Sequence, residues 1–219
     1  MVDDSESSID IYKLRSLYED FEDEELIIYQ SVYGRKIYNS FKLYDKTGGG
    51  AVQMNGHSQC IADTDKHIGD YYYLLAARWV RVSDSTIHFI SEAKWAPRSG
   101  PTVPTIGLGL ASSFSAGGKY ALFKNGATRG TVKCVTKKSW LETSSDNIPC
   151  DIGINHKYEI KLRAGHVYFY IDHIEVAHHT TNIPDSTESL QAHAAITTND
   201  NVASAMTLEY IFVILGEKF

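Results

Sequence analysis

Apolar and polar residues alternate with a period of two over much of this chain, most cleanly between residues 155 and 184. Tyr158, Ile160 and Leu162 fall on one face of an extended segment, while Lys157, Glu159 and Lys161 fall on the other. After the turn former Ala164-Gly165, Val167, Phe169 and Ile171 alternate with His166, Tyr168, Tyr170 and Asp172. Asp172-His173 then leads into Ile174 and Val176, and Pro184 closes the run. The pattern predicts three strands in an antiparallel meander, with Tyr158, Ile160, Phe169 and Ile171 in a core.

Similar periodicity predicts strands over residues 35–44, 51–61 (with a bend at Asn55-Gly56), 71–82, 86–95, 105–112, 190–198 and 205–215. Residues 71–82 form the most continuously apolar run and read as one central strand, whereas in 86–95 Ile87, Phe89, Ser91, Ala93 and Trp95 share a face opposite His88, Ile90, Glu92 and Lys94. Lys124-Asn125-Gly126-Ala127 predicts a tight hairpin between residues 120–123 and 131–135, and Trp140 falls in a polar stretch that reads as loop up to Pro149. Residues 98–104 read as a surface loop. About a dozen short strands separated by turn signals predict an all-β, two-sheet antiparallel sandwich or a barrel. Ile11, Leu14, Tyr18 and Phe21 recur at helical spacing, which leaves helix and strand open there. The expected organisation is a flexible or short helical N-terminal segment at 1–20 and a single β-sandwich domain at 21–219.

The strand His156-x-Tyr158-x-Ile160-x-Leu162, the run Phe169-Tyr170-Ile171-Asp172 and the following Ile174-x-Val176-Ala177 resemble hairpins of the concanavalin A-like lectin and glucanase superfamily. The closing run from Thr207 to Val213 is similar to the last strand of laminarinase-type β-glucanases, and Phe21-Glu22-Asp23 resembles the opening of many secreted or virion β-sandwich modules. The resemblance implies a jelly-roll β-sandwich whose last strand pairs with an N-terminal one. It also implies a glycan as ligand, and a structural calcium as the one cofactor in view, with Glu22, Asp23 and Glu209 in the matching places as oxygen donors. Ordinary surface carboxylates are the simpler reading of those three. One departure is Asp172-His173, where that superfamily commonly has Asp-Gly, so a side chain must enter whatever backbone conformation the turn requires.

Glycan hydrolysis by that superfamily's route needs carboxylates at i and i+4 of a strand with a helper between, and Glu-x-Asp-x-Glu is absent. Glu92 stands alone on its strand, Asp172 and Glu175 are three apart, and Asp63 and Asp65 fall in a turn-rich stretch. The candidate ligand-binding residues are Trp140, His166, Tyr168 and Tyr170, whose rings offer platforms for sugars, together with His88 and Glu92. His178-His179 is the densest pair among nine histidines, but adjacent strand residues point to opposite faces and cannot readily share one ion.

A net charge of -6 argues against nucleic acid as partner, and the one compact basic cluster, Lys133, Lys137 and Lys138, reads as a solvated strand end. No apolar run approaches the ~20 residues of a membrane-spanning helix, so no membrane insertion is expected. An acidic, polar N-terminus without an apolar stretch and three cysteines in no metal-type spacing suit folding in the cytoplasm. Three functional readings follow. The first is a non-catalytic β-sandwich module, lectin-like, that binds glycan or another surface and serves a virion or cell-surface assembly. The second is a divergent glycan-cleaving enzyme. The third is a purely structural subunit that packs into a homo-oligomer.

Overall fold

A computed structural model describes the backbone of residues 15–19, 27–32, 35–47, 51–54, 60–63, 71–76, 80–82, 86–97, 105–112, 117–128, 130–163, 165–197 and 204–215, with side chains described at 82, 86–95, 107–112, 117–128, 130–163, 165–195, 206–208, 211 and 213. Early in the chain lie β1 (Arg15–Glu19), β2 (Ile27–Val32), β3 (Arg35–Thr47), β4 (Ala51–Met54), β5 (Cys60–Asp63), β6 (Tyr71–Ala76) and β7 (Val80–Arg81). β8 (Ile87–Pro97), β9 (Thr105–Ala111), β10 (Tyr120–Asn125), β11 (Thr131–Lys138), β12 (Leu141–Ser144) and β13 (Ile148–Pro149) follow. The chain then forms β14 (His156–Arg163), β15 (His166–Ile171), β16 (Ile174–His179), β17 (Ser189–Thr197) and β18 (Ser204–Leu215). No helix among the described residues is long and apolar enough to cross a membrane.

These strands form two antiparallel sheets. An eight-stranded sheet runs β16-β15-β14-β8-β18-β5-β4 with β1 paired to β18, and a ten-stranded sheet runs β12-β11-β10-β9-β17-β6-β3-β2 with β13 on β11 and β7 on β17. The alternation in the sequence explains why they pack face to face. Ile87, Phe89, Trp95, Tyr158, Ile160, Leu162 and Phe169 of the first sheet share one buried cluster with Leu108, Leu110, Ala121, Phe123, Val132 and Cys134 of the second. Ring contacts cross the interface: Phe123 meets Tyr158 at 5.1 Å and Phe169 at 5.3 Å, edge to face in both cases. Cys134 and Cys150 are free and buried, and burial pushes the Cys134 thiol well above its ordinary pKa.

Several local expectations change. Residues 15–19, inside the segment expected to be flexible or short helical, run as a strand on β18, with Arg15 opposite Leu215. Residues 51–61 are not one strand but β4 and β5 paired antiparallel with each other, Met54 opposite Cys60, so the chain reverses between them; Asn55-Gly56 lies outside the described residues. The run 71–82 is split. β6 and β7 both pair with β17, but the five steps from Leu75 to Val80 oppose only three from His193 to Leu190. The stretch from Trp140 to Pro149, expected as loop, holds β12 and β13, which are too polar and too short for the period-two signal to register.

The turns also differ from expectation. Asn125-Gly126 is not the apex of a two-residue hairpin: Asn125 stays in register with Val132, and Gly126 N–H donates to Thr131 O at 2.8 Å across a longer connection. At Asp172-His173 both residues are left-handed, with φ 51° and 67°, the geometry of the tight turn that glycine usually serves. Side chains hold it: Asp172 accepts from Lys157 N–H at 2.9 Å, His156 Nδ1 lies 2.6 Å from its other oxygen, and His173 Nδ1 reaches Glu159 Oε1 at 2.8 Å.

The turn joining β11 to β12 puts the exposed Ser139 at φ 57°. Left-handed backbone costs an L-residue about 1–2 kcal/mol, partly offset in glycine by chain entropy. Ser139→Gly is therefore expected to raise stability by about 0.5–1 kcal/mol. Thermal unfolding checks this, and an unchanged or lower melting temperature would contradict it.

Candidate functional site

The outer face of the eight-stranded sheet carries most of the residues singled out from sequence. His166 is exposed and Tyr168 and Tyr170 are half-buried, all pointing away from the core as the alternation requires. The register sets Tyr168 opposite His178, and the rings of His166, Tyr168 and His178 lie nearly parallel: Tyr168 and His178 are 4.2 Å apart, His178 and His166 5.2 Å. One histidine ring donates to the other between His166 Nδ1 and His178 Nε2 at 2.9 Å. His178 and His179 point to opposite sides, His179 being buried with Nδ1 3.0 Å from the Thr136 hydroxyl of the facing sheet. Tyr170 lies beneath the Lys161 ammonium at 5.1 Å.

Deeper in the same face, Glu159 is only 5% exposed, although the alternation predicts a wetted position. It is buried because His88 reaches it from β8, Nε2 to Oε2 at 2.9 Å, and His173 covers its other oxygen. His88 and Glu92 share a face, but the carboxylate that His88 meets is Glu159, while Glu92 is opposite Lys157 in the register. Trp140, 74% exposed, occupies the β11–β12 turn at the end of the other sheet. The candidate ligands Glu22 and Asp23 lie outside the described residues, as does the side chain of Glu209. Among the described residues no group of three or more metal-ligating side chains occurs.

The outer face of the ten-stranded sheet brings together a second set that sequence reasoning left out. The core takes Leu108 and Leu110 of β9, Ala121 and Phe123 of β10, Val132 and Cys134 of β11, and Leu190, Ala192 and Ala194 of β17. By alternation the intervening positions face outward. Across the sheet they read Glu142, Lys137, Tyr120, Ala111 and Gln191 in one row, and Val135, Leu122, Gly109 and His193 in the next. A third row is Lys133, Lys124, Gly107 and Ala195.

The middle of this face holds the small residues Gly107 and Ala111 of β9 and Ala195 of β17, while Gly109 between them would turn a Cβ toward Ile160 in the core. The face is buried there, as are Tyr120, Leu122, Val135, Gln191 and His193 on either side. Glu142 is exposed and Lys124 half-buried at its edge.

A polar network borders it. The Tyr120 hydroxyl donates to Glu142 Oε2 at 2.5 Å, and the Lys124 ammonium donates to the Tyr120 oxygen at 2.8 Å and to the same carboxylate at 3.3 Å. Burial raises the Tyr120 pKa, the Glu142 carboxylate raises it further, and the phenol stays protonated as a donor. Burial alone would raise Glu142, but the Tyr120 hydrogen bond and the Lys124 charge outweigh it and hold the carboxyl below its ordinary range. Desolvation lowers Lys124. Burial takes His193 to about 3, so it is neutral at physiological pH.

Two antiparallel sheets packed in this order define a concanavalin A-like jelly-roll β-sandwich. Solved structures share the fold. The Emp47p carbohydrate recognition domain superposes with a TM-score of 0.64 at 10% identity, over 95% of this chain and 99% of that one. The β-glucanase of Bacillus licheniformis gives 0.64 at 10% identity, over 93% and 98%. Rv0315 of Mycobacterium tuberculosis, described as an immunostimulatory antigen and pseudo β-1,3-glucanase, gives 0.62 at 9% identity, over 92% and 98%. No family model and no curated protein sequence matches the chain.

Little in the sequence pointed to the network of Tyr120, Lys124 and Glu142 or to the buried polar groups beside it. Tyr120 and Lys124 are four apart on one strand and so share a face, a signal that was available. Glu142 joins them only through the β11–β12 register, and Gln191 and His193 sit some seventy residues further along the chain.

Proposed function

We propose that this chain is a non-catalytic glycan-binding β-sandwich module, working within a cell-surface or virion assembly. The observation that carries the reading is the row of rings on the outer face of the eight-stranded sheet, where the exposed His166 and His178 and the half-buried Tyr168 stack nearly parallel beside Tyr170. Sugars present apolar ring faces edged by hydroxyls, and aromatic rings with phenol and imidazole groups at their edges match that shape. The lectin domain and pseudo-glucanase among the structural neighbours support a binding role without carrying it. Glu-x-Asp-x-Glu is absent from the sequence, which favours binding over hydrolysis by a carboxylate pair. The two buried free thiols, Cys134 and Cys150, support folding in a reducing compartment.

A glycan array followed by calorimetry tests this. The expected outcome is binding of at least one oligosaccharide without release of reducing sugar, weakened about fivefold to tenfold by Tyr168→Ala or Tyr170→Ala, the loss of one aromatic contact. Affinity unchanged in both variants would move the site off the meander, and blank arrays would remove the reading.

A further inference from the structure

The described histidines differ in what their ring nitrogens face. His156 is held at both, by the Asp172 carboxylate at 2.6 Å and by the Asp151 carbonyl oxygen at 3.0 Å. His88 and His173 face the Glu159 carboxylate, and His179 and His193 are buried. His166 and His178 face each other. Nδ1 of the first lies 2.9 Å from Nε2 of the second, and both residues are exposed on the outer face of the eight-stranded sheet. Among the described residues no carboxylate pairs with either ring. The pair that stands together in the sequence, His178 and His179, is split across the sheet, whereas His166 and His178 are joined by register across a separation of 12 residues.

Two imidazole nitrogens bound to one divalent ion at about 2.0–2.1 Å lie ~2.9 Å apart at neighbouring corners of a square and ~3.3 Å apart on a tetrahedron. The separation here matches the square. The ring centres are 5.2 Å apart and the planes differ by 21°, so the nitrogens meet edge to edge along a hydrogen bond that holds one proton. For both to act as ligands, each ring turns about χ2, a broad torsion in histidine, and the proton moves through solvent to the far nitrogen of its own ring. Exposure leaves room for both changes. Tyr168, its ring 4.2 Å from that of His178 and 6.0 Å from that of His166, keeps the two side chains on one patch.

We propose that His166 and His178 form a cross-strand chelate for a divalent transition ion that favours tetragonal nitrogen coordination, copper(II) ahead of zinc. Water fills the remaining corners. The facing positions of β14 are cationic, Arg163 opposite His166 and Lys161 opposite Tyr168, while the next row holds Glu159, Tyr170 and Glu175. Two protein ligands beside two cations give a micromolar site, with a dissociation constant of ~1–100 µM, rather than the tighter binding of a four-ligand centre. The site does not rest on the glycan reading, although it draws on the same rings.

Titration of the full chain with copper(II) in the absence of sugar tests it, read by calorimetry and by electron paramagnetic resonance. Wild type is compared with His166→Gln, His178→Gln and, as a control at another exposed histidine, His173→Gln, with circular dichroism to confirm that each variant is folded. One ion is expected to bind with the hyperfine pattern of two nitrogens. His166→Gln and His178→Gln are each expected to weaken it at least about tenfold, the least that losing even a residue behind a metal ligand costs, and His173→Gln is expected to leave it unchanged. Zinc is expected to bind more weakly at the same two residues. Binding that survives both variants, or that falls in only one of them, would mean single-histidine contacts and overturn the chelate. An equal loss in His173→Gln, zinc binding tighter than copper, or no copper binding at all would overturn it too.

Discussion

Replacing Gly109 with alanine is expected to destabilise the protein by about 3–5 kcal/mol, the sum of a strained backbone and an overfilled core. Gly109 has φ 148°, a conformation that side-chain-bearing residues rarely adopt. A methyl group there would lie 2.5 Å from the Ala121 carbonyl oxygen of the neighbouring strand and 2.6 Å from Ile160 Cδ1 of the facing sheet. Neither can retreat easily, because Ala121 is in the β10 ladder and Ile160 is completely buried. Chemical denaturation measures the loss. Gly117→Ala, where nothing lies within 4 Å, is the control and should change little. Ile160→Val removes the atom closest in the facing sheet, so the double variant with Gly109→Ala should lose less than the two single losses added together. A stable Gly109→Ala protein would mean that the sheets are not packed as closely as described here.

Acid is expected to destabilise the fold through His193. The imidazole is 2% exposed, and burial lowers its pKa from 6.5 to about 3. Between those values the unfolded chain takes up a proton that the folded chain refuses, so this contribution to stability is intact above pH 6.5 and declines as the pH falls. At about 1.36 kcal/mol per pH unit, the loss reaches about 3 kcal/mol by pH 4. Asp172 acts in the same direction, since its lowered carboxyl pKa stabilises the fold only while ionised. Unfolding free energies of wild type and His193→Gln at pH 7 and pH 4 separate the two. The variant should lose about 3 kcal/mol less than wild type over that interval. Equal losses would show that His193 takes its proton in the folded state.

The outer faces of the two sheets were legible to different degrees. His166, Tyr168 and Tyr170 lie on one strand, and strict alternation was enough to put them on one face. Their neighbour His178 was visible only as half of an adjacent pair, because its place beside Tyr168 depends on cross-strand register. Glu159 misled for the same reason: its own strand said solvent, and His88, 71 residues away, buried it. The buried outer face of the ten-stranded sheet was harder still, since it draws on β9, β10, β11, β12 and β17.

What the sequence determined by itself was the class of fold and the direction of its side chains. Period-two alternation is a property of a single strand, so the antiparallel meander and the burial of Tyr158, Ile160, Phe169 and Ile171 could be read from neighbouring residues alone. The pairing of the last strand with an N-terminal one came from resemblance and holds in β1 on β18. Tertiary structure decided which strands became neighbours, because closing a long loop is paid back by packing that no local segment contains. It set β17 between β9 and β6, laid Tyr168 against His178, and joined Tyr120, Lys124 and Glu142 in one network. A binding surface on a sheet runs across the strands, whereas the pattern in a sequence runs along them.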